Sequence, residues 1–387
     1  MQFVCTAAAI SAEASPAAKS PLEAFTPEVT GYLYYSLDGS SGADKANAFD
    51  ISRVYVGGKY ALADNFTFRY VSDIGHETGG GKFEVYTKYA YLDWKLGKPA
   101  DLIFGLQGTK NFNMPESEWS YRGIRKSPME SFGDFYGGAI LAYTKALDSR
   151  IASLAGGSTG DQQLADRLTL QKAAFVWSSR NKMGSSADQS IDLSLKPDEN
   201  TYIDINVLNG SGYKKAEDDK YKNFQVRAGR YLSNKKVHLS GYVEFEPWSY
   251  TGSNGVKKSY TNIQWDLLAV FSAKDKGKLG INYNGKKFGG SYEDITAACF
   301  SVFGNVNLGR KDLKALARYD YYSTGFNKSA AASGAPALKT NANLFILGLD
   351  YQPNSRVHII PDLQLFNYQN PAVNANNVFY LHMLVSL

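Results

Sequence analysis

The stretch Arg53-Val-Tyr-Val-Gly-Gly-Lys-Tyr-Ala-Leu62 places Val54, Val56, Gly58, Tyr60 and Leu62 at one parity and Arg53, Tyr55, Gly57 and Lys59 at the other. Successive side chains of a β-strand point to opposite sides, so such a segment has one apolar and one polar face. The pattern returns along the chain. Val237, Leu239, Gly241, Val243 and Phe245 oppose His238, Ser240, Tyr242 and Glu244, while Ile263, Trp265, Leu267, Ala269 and Phe271 oppose Gln264 and Asp266. Alternation alone does not say which face lies inside.

The number of strands does. Alternating segments fall at about 28–38, 50–62, 66–76, 82–96, 101–111, 188–196, 201–210, 221–232, 236–246, 260–272, 278–287, 297–308, 313–324, 341–351, 356–367 and 377–387, which makes sixteen. A closed sheet of that many strands has a bore too wide for side chains to fill, so the polar face lines water and the apolar face meets lipid. The expected fold is all-β: a transmembrane antiparallel β-barrel occupying 28–387 as one domain. The register of Val85-Tyr-Thr-Lys-Tyr-Ala-Tyr-Leu-Asp-Trp94 mixes both faces, which predicts a bulge within 82–96.

The connections agree. Every second one is a tight polar turn, as in Ala63-Asp-Asn65, Gly97-Lys-Pro99, Ser233-Asn-Lys235 and Gln352-Pro-Asn-Ser355, and those between are longer and rich in Gly, Ser, Asn and Ala: 39–49, 211–220, 247–259, 325–340 and 368–376. Short turns on one side and long loops on the other are the habit of outer-membrane barrels.

Composition narrows the alternatives. The 387 residues include 27 Tyr, 21 Phe and 36 Gly but only two Cys, and the net charge is +5. Aromatics suit interfacial girdles and glycines suit tight turns. No run of 18 apolar residues could span a bilayer as a helix, which leaves barrels untouched. Basic residues are scattered with no concentrated face for nucleic acid. The histidines His76, His238, His358 and His382 lack metal-site spacing, and no linear catalytic motif is present, so neither enzyme, metal nor cofactor is expected. Residues 1–14, with Ala12-Glu-Ala14 as a small-x-small site, resemble the remnant of an export signal, and 15–27 would be a flexible leader.

One long interruption stands out at 112–187. A loop of this length in a compact domain is functional or disordered, and we expect it to fold into the lumen as a constriction. Its candidate constriction residues are Arg122, Arg125, Lys126, Glu116, Glu118, Glu130, Trp119 and Tyr121. The rival roles for these are salt bridges and packing that merely fix the loop to the wall. Within it, Ile140, Tyr143, Leu147, Ile151 and Leu154 recur at helical spacing, Gly156-Gly157 can end that helix, and 164–175 can form another. A helical hairpin plugging or capping the lumen is one reading. The other turns 135–147 and 150–157, or 169–180, into two further strands of an eighteen-stranded barrel.

The final strand alternates Phe379, Leu381, Met383, Val385 and Leu387 with Tyr380, His382, Leu384 and Ser386. This resembles the C-terminal signal read by outer-membrane assembly machinery, although that signal usually ends in Phe. Together with Tyr91-Leu-Asp-Trp94, Phe104-Gly-Leu-Gln-Gly108 leading into 115–129, Gly184-Ser-Ser-Ala-Asp188 and Asn209-Gly-Ser-Gly212, the chain resembles the phosphate-selective porin O/P family of bacterial outer-membrane porins. The resemblance implies a sixteen-stranded trimeric channel with its third external loop folded inward. The family's Arg ladder and clustered Lys for phosphate are not traceable here.

By strand parity Arg53, Lys59, Arg69, Lys88, Arg227 and Arg318 would face the lumen against Asp192, Asp204, Glu244, Asp266, Asp320 and Asp362, a nearly neutral wall. Selectivity would then rest with the loop. The expected function is passive diffusion of small hydrophilic solutes or ions across the bacterial outer membrane, with a mild preference for anions. The expected partners are outer-membrane lipid, lipopolysaccharide and the chain's own copies in a homotrimer. A plugged barrel acting as a structural or surface-interaction protein, and a channel specific for sugar or phosphate, are the alternatives.

Overall fold

The computed structural model describes residues 24–39, 47–76, 82–179, 183–252, 254–290, 295–326, 338–370 and 375–387. Sixteen strands run in chain order: β1 Phe25–Asp38, β2 Asn47–Ala63, β3 Phe66–His76, β4 Phe83–Gly97, β5 Ala100–Gly108, β6 Ala187–Asp198, β7 Thr201–Leu208 and β8 Asn223–Leu232. The second half comprises β9 Val237–Thr251, β10 Lys257–Ala273, β11 Gly277–Lys287, β12 Thr296–Asn307, β13 Leu313–Ser323, β14 Ala342–Asn354, β15 Val357–Tyr368 and β16 Asn376–Ser386. Each pairs antiparallel with its sequence neighbours, and β1 pairs with β16 from Thr30↔Ser386 to Asp38↔Val378, which closes the barrel. Closure leaves no exposed sheet edge.

The faces sort as the alternation requires. Leu267 is 56% exposed on the outside while its neighbour Asp266 is 0% exposed within. Leu239, Phe245, Phe271, Leu347, Phe379 and Met383 likewise form an outward apolar surface, of a kind that needs lipid rather than water against it. Among the described residues no helix is long and apolar enough to cross a membrane; the strands do that work.

Several boundaries are corrected. β1 starts at Phe25, inside the expected leader, and the signal-like residues 1–14 lie outside the described residues. β5 stops at Gly108 instead of running to 111. The connection expected at 247–259 shrinks to 252–256, because β9 and β10 pair onward from Trp248↔Tyr260 to Thr251↔Lys257. The bulge expected in 82–96 has its extra residue at Lys88: Val71 pairs with Tyr89 and Ser72 with Thr87.

Among the described residues of the loop no further strands form. It carries three helices, α1 Lys110–Trp119, α2 Pro128–Ser153 and α3 Thr159–Ser179, so the eighteen-stranded alternative is overturned. Local chemistry explains the helices. Pro128 opens α2, where its missing N–H costs nothing, and the Ser127 side chain caps the Glu130 N–H at 3.3 Å. Ser158 and Asp161 cap each other's N–H groups before α3. Gly156, at φ +76°, supplies the left-handed turn between the two helices.

Candidate functional site

Residues 109–179 and 183–186 fold into the barrel and are fastened to its wall from one side to the other. At the start of α1, Lys110 Nζ pairs with Asp192 Oδ2 of β6 at 2.7 Å and Asp204 of β7 at 3.5 Å. At its end Glu118 meets His238 Nδ1 of β9 at 2.7 Å, and Ser120 accepts from Lys278 of β11 at 2.7 Å. Beyond α1, Arg318 of β13 donates to the Lys126 carbonyl at 2.6 Å and Gln364 of β15 to the Ile124 carbonyl at 3.3 Å. The clamps therefore run from β6 to β15.

The residues singled out from sequence occupy three kinds of place. Trp119 is packed rather than presented to a bore: it is 1% exposed, donates Nε1–H to the Arg125 carbonyl at 2.8 Å, and lies between Phe303 and the Arg318 guanidinium. Tyr121 is also buried, its hydroxyl donating to Asp350. Arg318, paired with Asp320 at 2.6 Å, and Glu244 and Asp266 all point inward as parity demands. The loop and neighbouring side chains cover them, so the expectation that they line open water is revised. Glu244 accepts from Asn223 and Gln225, and Asp266 from Asn282.

A second group forms an ionic knot. Arg122 Nη1 pairs with Glu116 at 2.6 Å and with Glu130, while Lys126 pairs with Asp134 at 2.6 Å. Burial would raise the Glu130 carboxyl, but the Arg122 guanidinium and Lys126 ammonium outweigh it and hold the group at about 2. The third group faces the space left between the loop and the wall of β1 to β5. A cavity of about 410 Å³ there is bounded by Tyr32, Arg69, Tyr91, Ile103, Glu116 and Arg122. A smaller one of about 160 Å³ adjoins it, with Tyr55, Lys88 and Tyr89 in its lining and Tyr32, Arg69, Glu116 and Arg122 shared. Arg53 and Arg69 on this side are matched by Asp73 at 3.0 Å and Glu28 at 2.6 Å, and Arg227 by Asp204 at 2.6 Å.

Two features escaped the sequence reading. The helical pair is held by aromatic stacking: Tyr143 lies on Phe326 at 4.2 Å and 4°, Phe175 meets Phe288 at 5.2 Å, and Phe132 stacks on Tyr322 at 5.3 Å. Each buried ring contributes roughly 1.5–3 kcal/mol. The signal was present in strands apolar on both faces, such as Ala342, Leu344 and Ile346 alternating with Phe345, Leu347 and Leu349. The other is the connection 209–222 between β7 and β8. Asp188 Oδ2 accepts the Gly210 and Gly212 N–H groups at 2.9 and 3.0 Å, which sends Tyr213 inward to donate to Asp73 at 2.8 Å and cover Lys88 at 4.1 Å. On the same connection Glu217, Asp218 and Asp219 gather, but their oxygens accept from backbone N–H groups and pair with Lys215 and Lys222.

No protein-family model matches the chain, and no curated protein sequence does. Among solved structures it is similar to OprB of Pseudomonas putida at 9% identity, covering 95% of each chain with a TM-score of 0.64. It is similar to the outer membrane channel DcaP of Acinetobacter baumannii at 11% identity, covering 94% of this chain and 96% of that one with a TM-score of 0.58. A third likeness is to OmpT, an outer membrane protein of Vibrio cholerae in a trimer form, at 14% identity over 94% and 100% of the chains with a TM-score of 0.55. At such identities the likeness is one of fold, and the fold is that of outer-membrane porins and channels.

Proposed function

We propose that the chain is a passive diffusion channel of the bacterial outer membrane for small hydrophilic solutes and ions, with a mild preference for anions. The supporting observation is a closed barrel whose inward loop is clamped on the β6 to β15 side and leaves polar, tyrosine-lined cavities on the β1 to β5 side. The anion preference follows from pairing. Among the described residues most inward cations are matched to carboxylates, but Lys88 and Arg125 have no ion-pair partner. Asp266, a carboxylate with no ion-pair partner among the described residues, is fully buried and accepts from Asn282. One-to-one pairing is not a cation ladder, so the reading is of a general channel and not a phosphate-selective one. Lipid and lipopolysaccharide would contact the outward apolar face, and a homotrimer is the proposed assembly.

Liposomes reconstituted with the protein test this. They should swell in isotonic solutions of small sugars at a rate that falls with solute size. A second reading, a plugged barrel with a structural role, is favoured by the aromatic packing of α2 and α3, and it predicts no swelling with any solute.

A further inference from the structure

Lys88 is the extra residue of the β4 bulge, and the bulge is what places it. Lys88 and Tyr89, although consecutive, both line the smaller lumenal chamber, where regular alternation would have sent one of them to lipid. The side chain is 3% exposed. It donates to Ser186 Oγ and lies 4.1 Å from the centre of the Tyr213 ring; among the described residues no carboxylate is within ion-pair distance. An ammonium has three donors and is costly to bury without an opposite charge. Here it borders a cavity of about 160 Å³.

The surroundings restrict what could fill that space. Glu28 and Glu116 also line the chamber, each paired with a lining arginine, Arg69 and Arg122, so that with Lys88 the wall carries one positive charge in excess, which a single negative charge beside Lys88 would balance. The adjoining cavity of about 410 Å³ shares Tyr32, Tyr89, Asn113 and the paired Arg69, Glu116 and Arg122 with the chamber and, beside the polar Gln107 and Ser117, adds an apolar strip of Tyr91, Ile103 and Leu384. Charge at one end and ring faces with aliphatic carbons at the other describe an amphipathic monoanion. We propose that this pair of cavities is a binding subsite for a small monocarboxylate, its carboxylate on Lys88 and its apolar body along Tyr91, Ile103 and Leu384. The inference rests on the channel reading for its physiological sense, but not for its test.

The test is equilibrium dialysis of labelled benzoate against the detergent-solubilised full chain, with inorganic phosphate as competitor. Wild-type protein should bind benzoate saturably at one site per chain. Lys88→Met should weaken binding by about tenfold or more and Lys88→Arg far less, because charge-assisted hydrogen bonds carry the head group. Phosphate should displace benzoate poorly. Absence of saturable benzoate binding by the wild type overturns the proposal whatever the variants do; so does unchanged affinity in Lys88→Met, or phosphate competing as well as benzoate itself. Dialysis reads no current, so a protein that binds benzoate but passes no ions would refute the channel reading alone, and one that conducts but does not bind would refute the subsite alone.

Discussion

The Tyr121 hydroxyl donates to Asp350 Oδ2 at 3.2 Å, joining the segment after α1 to the inner face of β14 across 229 positions of sequence. Asp350 keeps His358 and Gln352 as further donors at 2.9 and 2.6 Å, so removing the tyrosine hydroxyl leaves the carboxylate still satisfied. Tyr121→Phe should therefore cost only about 1 kcal/mol. Its expected signature is a noisier open-channel current with an unchanged reversal potential. A shifted reversal potential would mean that Tyr121 touches permeating ions rather than the wall.

Charge reversal should separate the two loop arginines. Arg122 is held by Glu116 and Glu130, so Arg122→Glu would gather three carboxylates in one place and destabilise the loop by about 3–5 kcal/mol. Arg125→Glu breaks no ion pair and should leave thermal stability nearly intact while moving the reversal potential in a salt gradient toward cations. The shift should be largest at low ionic strength, where screening is weak. Equal melting temperatures for the two variants would show that the knot contributes nothing.

The same knot sets a pH dependence. Glu130 is held at about 2 in the folded protein, mainly because Arg122 outweighs the cost of burial, whereas an unfolded Glu titrates near about 4.3. A folded value below the unfolded one adds stability that is fully present above about 4.3 and is lost as pH falls through about 2. The melting-temperature gap between wild type and Glu130→Gln should hold from pH 7 to 5 and close toward pH 2. A gap that widened on acidification would contradict this assignment.

Tyr136 is fully buried between Phe288 and Phe326, stacked on each at 5.6 Å. Tyr136→Ala should cost about 3–5 kcal/mol by leaving a cavity in that stack. The barrel need not unfold. Protease nicking within α2 and α3 should accelerate while heat-modifiable migration of the barrel persists; loss of both together would make the helices part of the barrel's own folding unit.

Strands were legible because side-chain parity is a local property, and both the tight turns and the bulge at Lys88 left their marks on it. The helices α2 and α3 were legible as helical spacing and a Gly156-Gly157 stop, with two further strands as the rival, and the Ser127 and Ser158 caps showed only in the structure. What the loop touches was not. Whether Trp119 and Tyr121 face water or the wall depends on Phe303 and Asp350, some two hundred residues away, and parity says only that those residues point inward. Glu244 and Asp266 misled for the same reason: they face inward, yet what covers them comes from elsewhere in the chain. The inward turn of Tyr213 depends on Asp188 gripping Gly210 and Gly212, two short motifs that nothing in their spacing would bring together.

The central claim is that the inward loop narrows a conducting lumen, and single-channel recording in a planar bilayer tests it most directly. Purified protein should open in discrete steps, and a chain lacking residues 133–183 should open in larger ones with its heat-modifiable migration preserved. A correctly folded wild-type barrel that gave no steps, or a deletion that left step size unchanged, would contradict the account.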